Sequence, residues 1–279
     1  MKGMIFDVQR SSFVDGDGVR TAVFFKGCNL RCRWCHNPEG IDPHGQILFY
    51  PEKCTGCGEC HDVCQGKEGE CTLCGKCATY CPSGAREACG REYGAQELYE
   101  IIARDKALYE ETGGGVTFSG GECTLQIDFL EEMLRLCHQN GINTSVDTAG
   151  NVPFEYFQRI LPYTNTFLYD VKCIDEKKHR EGTGCSNRLI LENLNKLLSH
   201  GAMVEVRVPV IGGFNDSEGD MQDIAKLLKG KGVHKVELLP YHKMGEHKYE
   251  GLGRSACEYQ VPTKEQINKF KEIFKEINL

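Results

Sequence analysis

The sequence of 279 residues has no surplus of positive charge, no long apolar run and only one tryptophan. Its 33 Lys and Arg residues are outnumbered by 40 Asp and Glu, which gives a formal net charge of −7. Domains that bind nucleic acid through general phosphate attraction are usually basic. No segment approaches the roughly 20 apolar residues that a membrane span requires, and the first residues turn polar too soon for a secretory signal. We therefore expect a cytoplasmic protein that binds neither nucleic acid nor membrane.

Cysteine, in contrast, is abundant, with 17 copies. Eleven of the 17 lie between Cys28 and Cys81, in runs with very short spacings. Disulfide frameworks of small secreted proteins rarely repeat such spacings, whereas a metal centre needs several thiolates close together. The pattern therefore predicts thiolates that bind metal in a reducing compartment.

Short apolar strands alternate with helical patterns on both sides of the cysteine-rich segment. The strands are rich in Val, Ile, Thr, Phe and Tyr and end at polar or glycine residues. Seven are predicted: Met4–Val8, Thr21–Lys26, Gly115–Ser119, Asn143–Asp147, Thr166–Val171, Met203–Val210 and Lys235–Leu239. Strand–helix alternation of this length predicts a parallel sheet, open or closed into a barrel, with the chemistry at the carboxyl ends of the strands.

Two helices are indicated by apolar residues at helical spacing. The apolar positions are Ile127, Leu130, Leu134 and Cys137 in the first helix and Ile267, Phe270, Phe274 and Ile277 in the second. Thr263 and Gln266 form a capping-box pattern, which predicts that the second helix begins there.

Residues 48–93 interrupt the alternation. They contain nine cysteines, many glycines and too few apolar residues to fold by burial alone. The sequence therefore predicts two units. One is a barrel-like unit of residues 1–47 and 94–279, and the other is an insert of residues 48–93 that folds around its metal.

A three-cysteine loop follows the predicted strand Thr21–Lys26. Its spacing is Cys28-x3-Cys32-x2-Cys35, and no fourth cysteine lies in register nearby. Three thiolates can bind three irons of a [4Fe–4S] cluster, and an iron without a protein ligand is open to a substrate. A structural zinc site completed by His36 is the alternative.

Two runs in the insert have the C-x2-C-x2-C-x3-C spacing of bacterial ferredoxins, in which the fourth cysteine of each run binds the other cluster. The spacing predicts one cluster on Cys54, Cys57, Cys60 and Cys81 and a second on Cys64, Cys71, Cys74 and Cys77. Cys89 is a spare thiol that could replace one of these ligands. Two structural zinc knuckles are the alternative for this segment.

Further motifs extend along the whole chain. They are Asp15-Gly16-Asp17-Gly18-Val19-Arg20, Trp34-Cys35-His36-Asn37-Pro38-Glu39, Ser119-Gly120-Gly121-Glu122, Asp147-Thr148-Ala149-Gly150, Tyr169-Asp170-Val171-Lys172 and Leu238-Leu239-Pro240-Tyr241-His242. With the three-cysteine loop, this set resembles the radical S-adenosylmethionine (SAM) activating enzymes of glycyl radical enzymes, in the subgroup with a ferredoxin-like insert. Asp17 and Cys123 stand where that family usually has proline. The resemblance implies an α/β fold, a partial (β/α)6 barrel with an inserted ferredoxin-like iron–sulfur domain.

The resemblance also implies an activity, that of an anaerobic oxidoreductase. Such an enzyme cleaves SAM reductively and uses the 5′-deoxyadenosyl radical to abstract a hydrogen from a glycine of a partner glycyl radical enzyme. The products are 5′-deoxyadenosine and methionine, and a flavodoxin or ferredoxin supplies the electron. The short insert slightly favours hydroxyproline dehydratase as the partner over choline lyase, glycerol dehydratase and arylacetate decarboxylase.

Site residues follow from the same resemblance. SAM would be bound by Trp34, Cys35, His36, Gly120, Gly121, Glu122, Asp170, Val171, Lys172, Arg207 and His242. In related enzymes the positions of Asp147, Thr148, Asp170 and the Leu168 carbonyl hold a monovalent cation. A bound carboxylate would be the partner of Lys172 and Arg207, because a cation is costly to bury alone. Ordinary structural roles are the alternatives: these two cations pair with acidic residues across the sheet, the glycines form a plain turn, and Asp147 or Thr148 caps a helix. Trp34 either shields the cluster or packs on the adenine side.

Overall fold

The computed structural model describes residues 1–66 and 70–276. The strands are β1 (Lys2–Ser12), β2 (Arg20–Phe25), β3 (Gln46–Phe49), β4 (Arg86–Cys89), β5 (Arg91–Gly94), β6 (Gly115–Gly120), β7 (Asn143–Thr148), β8 (Thr166–Asp170), β9 (Val204–Val210) and β10 (Lys235–Pro240). The α-helices are α1 (Glu59–Asp62), α2 (Lys76–Thr79), α3 (Ala95–Ala103), α4 (Lys106–Thr112), α5 (Ile127–Gln139), α6 (Phe154–Ile160), α7 (Glu176–Thr183), α8 (Arg188–Ser199), α9 (Glu218–Leu228), α10 (Glu246–Gly251) and α11 (Lys264–Lys275).

Eight strands form one sheet in the order β10-β9-β8-β7-β6-β2-β1-β5. The six strands from β2 to β10 in this order are parallel, which confirms the predicted α/β fold. β1 pairs antiparallel with β2, and β5 pairs antiparallel with β1. The predicted strand Met4–Val8 therefore lies in an antiparallel strand, because a loop rather than a crossover helix joins β1 to β2.

The two faces of the parallel strands differ in chemistry. Apolar side chains such as Phe118, Val146 and Val206 belong to the main hydrophobic core. Since side chains alternate along a strand, the residues next to them face the opposite way. Among these are Thr117 and Arg207, both buried. The sheet thus has one apolar face and one buried polar face that can meet a polar ligand.

Both predicted helices are confirmed within the described residues. All four apolar positions of the first pattern are buried along α5. Helix α11 begins after Thr263, whose capping box with Gln266 is formed, and its three described apolar positions are buried. The fourth, Ile277, lies outside the described residues. No helix in residues 1–66 and 70–276 combines the length and the apolar character needed to cross a membrane.

β3 and β4 pair in a separate two-stranded sheet, and both ferredoxin-like runs lie between these two strands in the sequence. Each run contains one short helix, α1 or α2, preceded by a left-handed glycine, Gly58 or Gly75. The residue before the second cysteine is also left-handed in both runs, Gly56 (φ 70°) in the first and Leu73 (φ 54°) in the second. The two runs therefore repeat one local backbone conformation.

After this hairpin the chain returns to the main sheet, where β5 pairs with β1. The hairpin itself extends from Gln46 to Cys89. The division of the chain at residues 48 and 93 stays a prediction.

Candidate functional site

The three-cysteine loop follows the carboxyl end of β2 and is fixed at several points. The N–H of Gly27, just before the loop, donates to the carbonyl of Gly40 at 2.8 Å. This bond joins the residue before Cys28 to the segment that follows Cys35. The N–H of Arg31 donates to the carbonyl of Thr183, the last residue of α7, at 2.7 Å. The protein therefore determines the path of the loop through its own hydrogen bonds.

Cys28, Cys32 and Cys35 are half-buried free thiols. Desolvation raises the pKa of each to about 12. Thiols in such surroundings stay protonated near neutral pH unless a metal replaces the proton and stabilises the thiolate. The N–H of Leu30 also points at the Cys28 sulfur at 3.4 Å, as it would toward a thiolate. This donor set fits an iron–sulfur cluster.

A structural zinc site needs its ligands to converge on a single ion. In the described part of the chain, no three His, Cys, Asp or Glu side chains converge in this way. His36, the fourth ligand in the zinc alternative, packs edge-on against His242 with ring centroids 4.6 Å apart. A [4Fe–4S] cluster takes its ligands on separate irons, so its thiols need not meet at one point. The arrangement favours the cluster.

The turn after β6 packs directly on this loop. Gly120 has φ 118°, a left-handed value that glycine adopts without strain. A Cβ added to Gly121 would lie 2.3 Å from the carbonyl oxygen of Gly27 and 2.5 Å from that of Gly40. The predicted glycine pair therefore lies beside the two ends of the three-cysteine loop.

Glu122, an expected SAM ligand, is buried and its carboxylate is bound by protein donors. Oε1 accepts hydrogen bonds from the hydroxyls of Thr148 at 2.8 Å and Thr124 at 2.5 Å. Oε2 accepts the N–H of Ala149 at 2.9 Å. The side chain thus joins the turn after β6 to the turn after β7. A contact between this motif and SAM would be made by its backbone, not by this carboxylate.

Lys172 and Arg207, the two expected carboxylate binders, both contact acidic side chains. The Lys172 ammonium donates to Asp170. Nη1 of Arg207 lies 3.7 Å from Oδ2 of Asp147, and burial raises the pKa of that carboxyl group to about 6. Ser119 donates to the same Oδ2 at 2.7 Å. Arg207 therefore lies near an acidic residue across the sheet, as the ordinary alternative expects, whereas Lys172 pairs with the last residue of the strand that precedes it.

Arg207 nevertheless keeps a free donor. Its Nη2 donates to the carbonyl of Val14 at 3.0 Å, but its buried Nε has no hydrogen-bond partner among the described residues. Oε2 of Glu237 lies 3.5 Å from this nitrogen, too far for a well-made hydrogen bond. Buried donors are nearly always satisfied, so an anionic ligand fits here.

The four residues of the expected cation site lie on neighbouring strands. Leu168 is opposite Asp147 in the register of β7 and β8. The Thr148 hydroxyl donates to Glu122 and accepts the N–H of Gly150 at 2.9 Å. An ion would compete with Lys172 and Arg207 for the two carboxylates, and the monovalent-cation site stays a prediction.

Two other expected ligands pack within the protein. Trp34 is buried, and its ring lies 4.4 Å from that of Phe214 and edge-on to Tyr259 at 6.0 Å, measured between centroids. The sequence suggested that Trp34 either shields the cluster or packs on the adenine side, and this packing favours the shielding role. The side chain of Val171 belongs to the main core. Val171 can therefore reach a ligand only through its backbone.

The insert thiols are on average more exposed than those of the loop: five of the eight are exposed and three are half-buried, whereas all three loop thiols are half-buried. The N–H of Leu73 points at the Cys71 sulfur at 3.4 Å, as Leu30 does at Cys28. Cys89 is buried with Leu48 in a small apolar cluster, which favours a packing role over that of a spare ligand. The pairing of the eight cysteines stays a prediction.

Comparisons with known proteins agree with this geometry. The family model of the Radical SAM superfamily matches residues 71–228, and that of the 4Fe-4S binding domain matches residues 47–66. The trans-4-hydroxy-L-proline dehydratase activating enzyme of Clostridioides difficile is 38% identical over 295 aligned residues, covering 100% of this chain and 98% of the relative. The chain belongs to the radical SAM family of glycyl radical enzyme activating enzymes.

Other activating enzymes are similar along most of their length. The choline trimethylamine-lyase activating enzyme of Oleidesulfovibrio alaskensis is 42% identical, covering 90% of this chain and 87% of the relative. A solved domain of the pyruvate-formate lyase-activating enzyme from Bacteroides vulgatus matches with a TM-score of 0.52 and 29% identity, covering 60% of this chain and 96% of that one.

The family models support the use of a [4Fe–4S] cluster and of SAM by this activating enzyme. The Radical SAM match begins at residue 71, after the three-cysteine loop, and the 4Fe-4S match ends at residue 66, within the first half of the insert. The individual ligands therefore rest on spacing and geometry.

Sequence reasoning missed one set of contacts in this activating enzyme, between α10 and the segment after Cys35. Tyr249 bonds the Cys35 carbonyl, and Lys248 bonds Asn37. Lys248 and Asn37 are 211 residues apart in sequence. No local spacing marks such a pair, so only the folded structure reveals it.

Proposed function

We propose that this activating enzyme cleaves SAM reductively and uses the 5′-deoxyadenosyl radical to abstract a hydrogen atom from a glycine of a partner glycyl radical enzyme. The products would be 5′-deoxyadenosine, methionine and the glycyl radical. The observation that carries the proposal is the position of the Cys28–Cys35 loop at the carboxyl edge of six parallel strands, where the charge of Lys172 acts on all three thiols. A reduced [4Fe–4S] cluster, when bound, supplies the electron that breaks the sulfonium C–S bond.

The residues divide this work between holding the cluster and placing SAM. Cys28, Cys32 and Cys35 would bind three irons and leave the fourth open. The Gly120–Gly121 turn leaves room for close approach of a ligand to the backbone. Lys172 and the unpaired Nε of Arg207 would bind the SAM carboxylate, because a buried cation favours an anionic partner.

His36, His242 and Trp34 would complete the site. The two histidine rings are in contact beside the third cysteine, and burial lowers the pKa of His36 to about 4, so its ring is neutral near pH 7. A neutral ring can lie against the nucleoside without adding positive charge near the sulfonium group. The packed ring of Trp34 would exclude water from the cluster.

The insert would hold two further clusters, with the ligand sets that the ferredoxin spacing predicts. Their exposure suits electron entry from a flavodoxin or ferredoxin. Reduced thiols of this number also suit a reducing compartment, and we place the enzyme in the cytoplasm.

The partner is a glycyl radical enzyme. Relatives named for trans-4-hydroxy-L-proline dehydratase, choline trimethylamine-lyase and 4-hydroxyphenylacetate decarboxylase are 38%, 42% and 37% identical, a range too narrow to choose among them. The short insert makes the hydroxyproline dehydratase the first to test.

The experiment uses anaerobically reconstituted, reduced enzyme with SAM and each candidate partner. Chromatography measures 5′-deoxyadenosine, and electron paramagnetic resonance measures the glycyl radical. We expect both products with one partner and neither with the Cys32→Ala variant. Full activity of Cys32→Ala would overturn the cluster assignment. Formation of 5′-deoxyadenosine with no radical on any glycyl radical enzyme would overturn the proposed substrate.

A further inference from the structure

Helix α10 contacts the segment after the third cysteine at alternate residues. The hydroxyl of Tyr249 donates to the carbonyl oxygen of Cys35 at 2.9 Å. The ammonium of Lys248 lies 2.7 Å from Oδ1 of Asn37 and 2.7 Å from Oε1 of Glu39. Two consecutive residues of one helix thus hold three alternate residues of the segment.

The contact with Glu39 ties this segment to a buried charge. Glu39 is 6% exposed, and its Oε2 has no hydrogen-bond partner in the described structure. Lys248 forms the ion pair with this carboxylate, while the buried Lys26 donates to the backbone carbonyl of Glu39 at 2.8 Å. A buried carboxylate that loses its cation takes up a proton or moves toward water. Gly40 follows directly and accepts the hydrogen bond of Gly27 at the beginning of the loop. Displacement of Glu39 would therefore move both the segment after the third cysteine and, through Gly40, the residue Gly27 before the first cysteine.

The helix is itself anchored on the insert. A Cβ added to Gly251 would lie 2.7 Å from the ring of Tyr50, so the backbone of α10 lies against that ring. Leu252 packs on the small apolar cluster that contains Tyr50 and Leu48. Because α10 is held from this side, its side chains can fix the segment on the other side.

We propose that Lys248 and Tyr249 are positioning residues, which hold Cys35 in the place that the cluster requires relative to Cys28 and Cys32. This inference rests on the proposed function, because it gives Cys35 the role of a cluster ligand. In this proposal both residues act through the loop backbone and the Glu39 side chain, not on SAM itself.

The first test compares two tyrosines. Tyr249→Phe removes the hydroxyl that bonds Cys35, whereas Tyr241→Phe removes a hydroxyl that bonds Glu246 of the same helix at 3.0 Å and leaves the hydrogen bond between Tyr249 and Cys35 in place. Hydrogen exchange by mass spectrometry is followed over residues 35–41 of the reconstituted enzyme. One neutral hydrogen bond corresponds to roughly a three- to tenfold change in an opening equilibrium. We expect exchange to accelerate by that factor in Tyr249→Phe and to stay unchanged in Tyr241→Phe.

The same two variants are assayed for SAM cleavage without a partner enzyme. We expect the KM for SAM to rise severalfold in Tyr249→Phe while kcat changes less, and the cluster's paramagnetic spectrum to respond more weakly to added SAM. A wild-type enzyme that forms no 5′-deoxyadenosine would refute the proposed function, yet the exchange experiment would still test the positioning. Equal exchange, KM and spectra in the two variants would overturn the inference.

The second test uses the buried charge. Lys248→Met leaves Glu39 without its cation, and the added change Glu39→Gln removes the charge. We expect Lys248→Met to weaken loop protection most and the double variant to recover much of it. Lys243→Met, at an exposed position before the same helix, is the matched control. Behaviour of Lys248→Met like that control, or no recovery in the double variant, would contradict the role of this pair.

Discussion

The loop and the insert both present closely spaced cysteines, but the protein treats them differently. The loop is fixed by the β6 turn, by α7 and by α10, and desolvation raises the pKa of its thiols to about 12. The insert has two four-residue helices, a two-stranded sheet and a small apolar cluster at its base. Protein packing determines the first site, whereas bound metal must contribute most of the stability of the second.

This contrast matches the two tasks that we propose, SAM cleavage at the loop and electron transfer through the insert. A cluster that binds a substrate at one open iron needs rigid surroundings, since small displacements of the reacting groups strongly reduce the rate. A cluster that only passes electrons needs exposure and ligands, and it tolerates a looser shell. The strain of Leu73 and the exposure of the insert thiols are compatible with the second task alone.

The largest expected effect comes from deleting one ligand in each region. Cys28→Ala should lower SAM cleavage by more than about 100-fold, or about 2.7 kcal/mol in the barrier, while the insert keeps its resistance to protease. Cys57→Ala should make the insert protease-sensitive, slow reduction and leave SAM binding in place. Activity assays, iron analysis and limited proteolysis measure these results. Loss of insert structure in Cys28→Ala would contradict the independence of the two regions.

Glu122→Gln tests whether this carboxylate supports the turns beside the loop or binds SAM directly. An amide replaces one acceptor oxygen with a donor that faces a hydroxyl or the Ala149 N–H, a loss of roughly 1–3 kcal/mol. We expect the melting temperature to fall by roughly 2–5 °C and the KM for SAM to rise with it. Thermal unfolding followed by circular dichroism measures the first, and initial rates of SAM cleavage the second.

Glu110→Gln, at an exposed position on α4, is the control for that change and should alter neither quantity. If Glu122→Gln instead raised KM at an unchanged melting temperature, the carboxylate would be contacting SAM directly, as the sequence motif first suggested. The melting temperature and the KM of Glu122→Gln together therefore distinguish a structural role of this carboxylate from direct binding of SAM.

The sequence predicts much of this molecule because its signals are local. Apolar alternation marks the parallel strands, and the Thr263 capping box marks the beginning of α11. The insert strands β3 and β4 are only four residues long, and each pairs with a partner about 40 positions away, so periodicity does not mark them. A motif also marks a position without giving the direction of its side chain, so the hydrogen bonds of Glu122 to Thr148 and Ala149 could be seen only in the folded structure.

The smallest effect tests the repeat inside the insert. Gly56 and Leu73 occupy the same left-handed position of the two runs, and no atom of the described residues lies within 4 Å of a Cβ added to Gly56. Gly56→Ala should therefore cost about 1 kcal/mol through backbone strain alone. Leu73→Gly relieves strain of that size but adds a similar loss of backbone entropy, so its net effect should be within about 1 kcal/mol of zero. Protease sensitivity of the reconstituted insert measures both, and a large loss in Leu73→Gly would mean that this half-exposed side chain makes a contact its counterpart lacks.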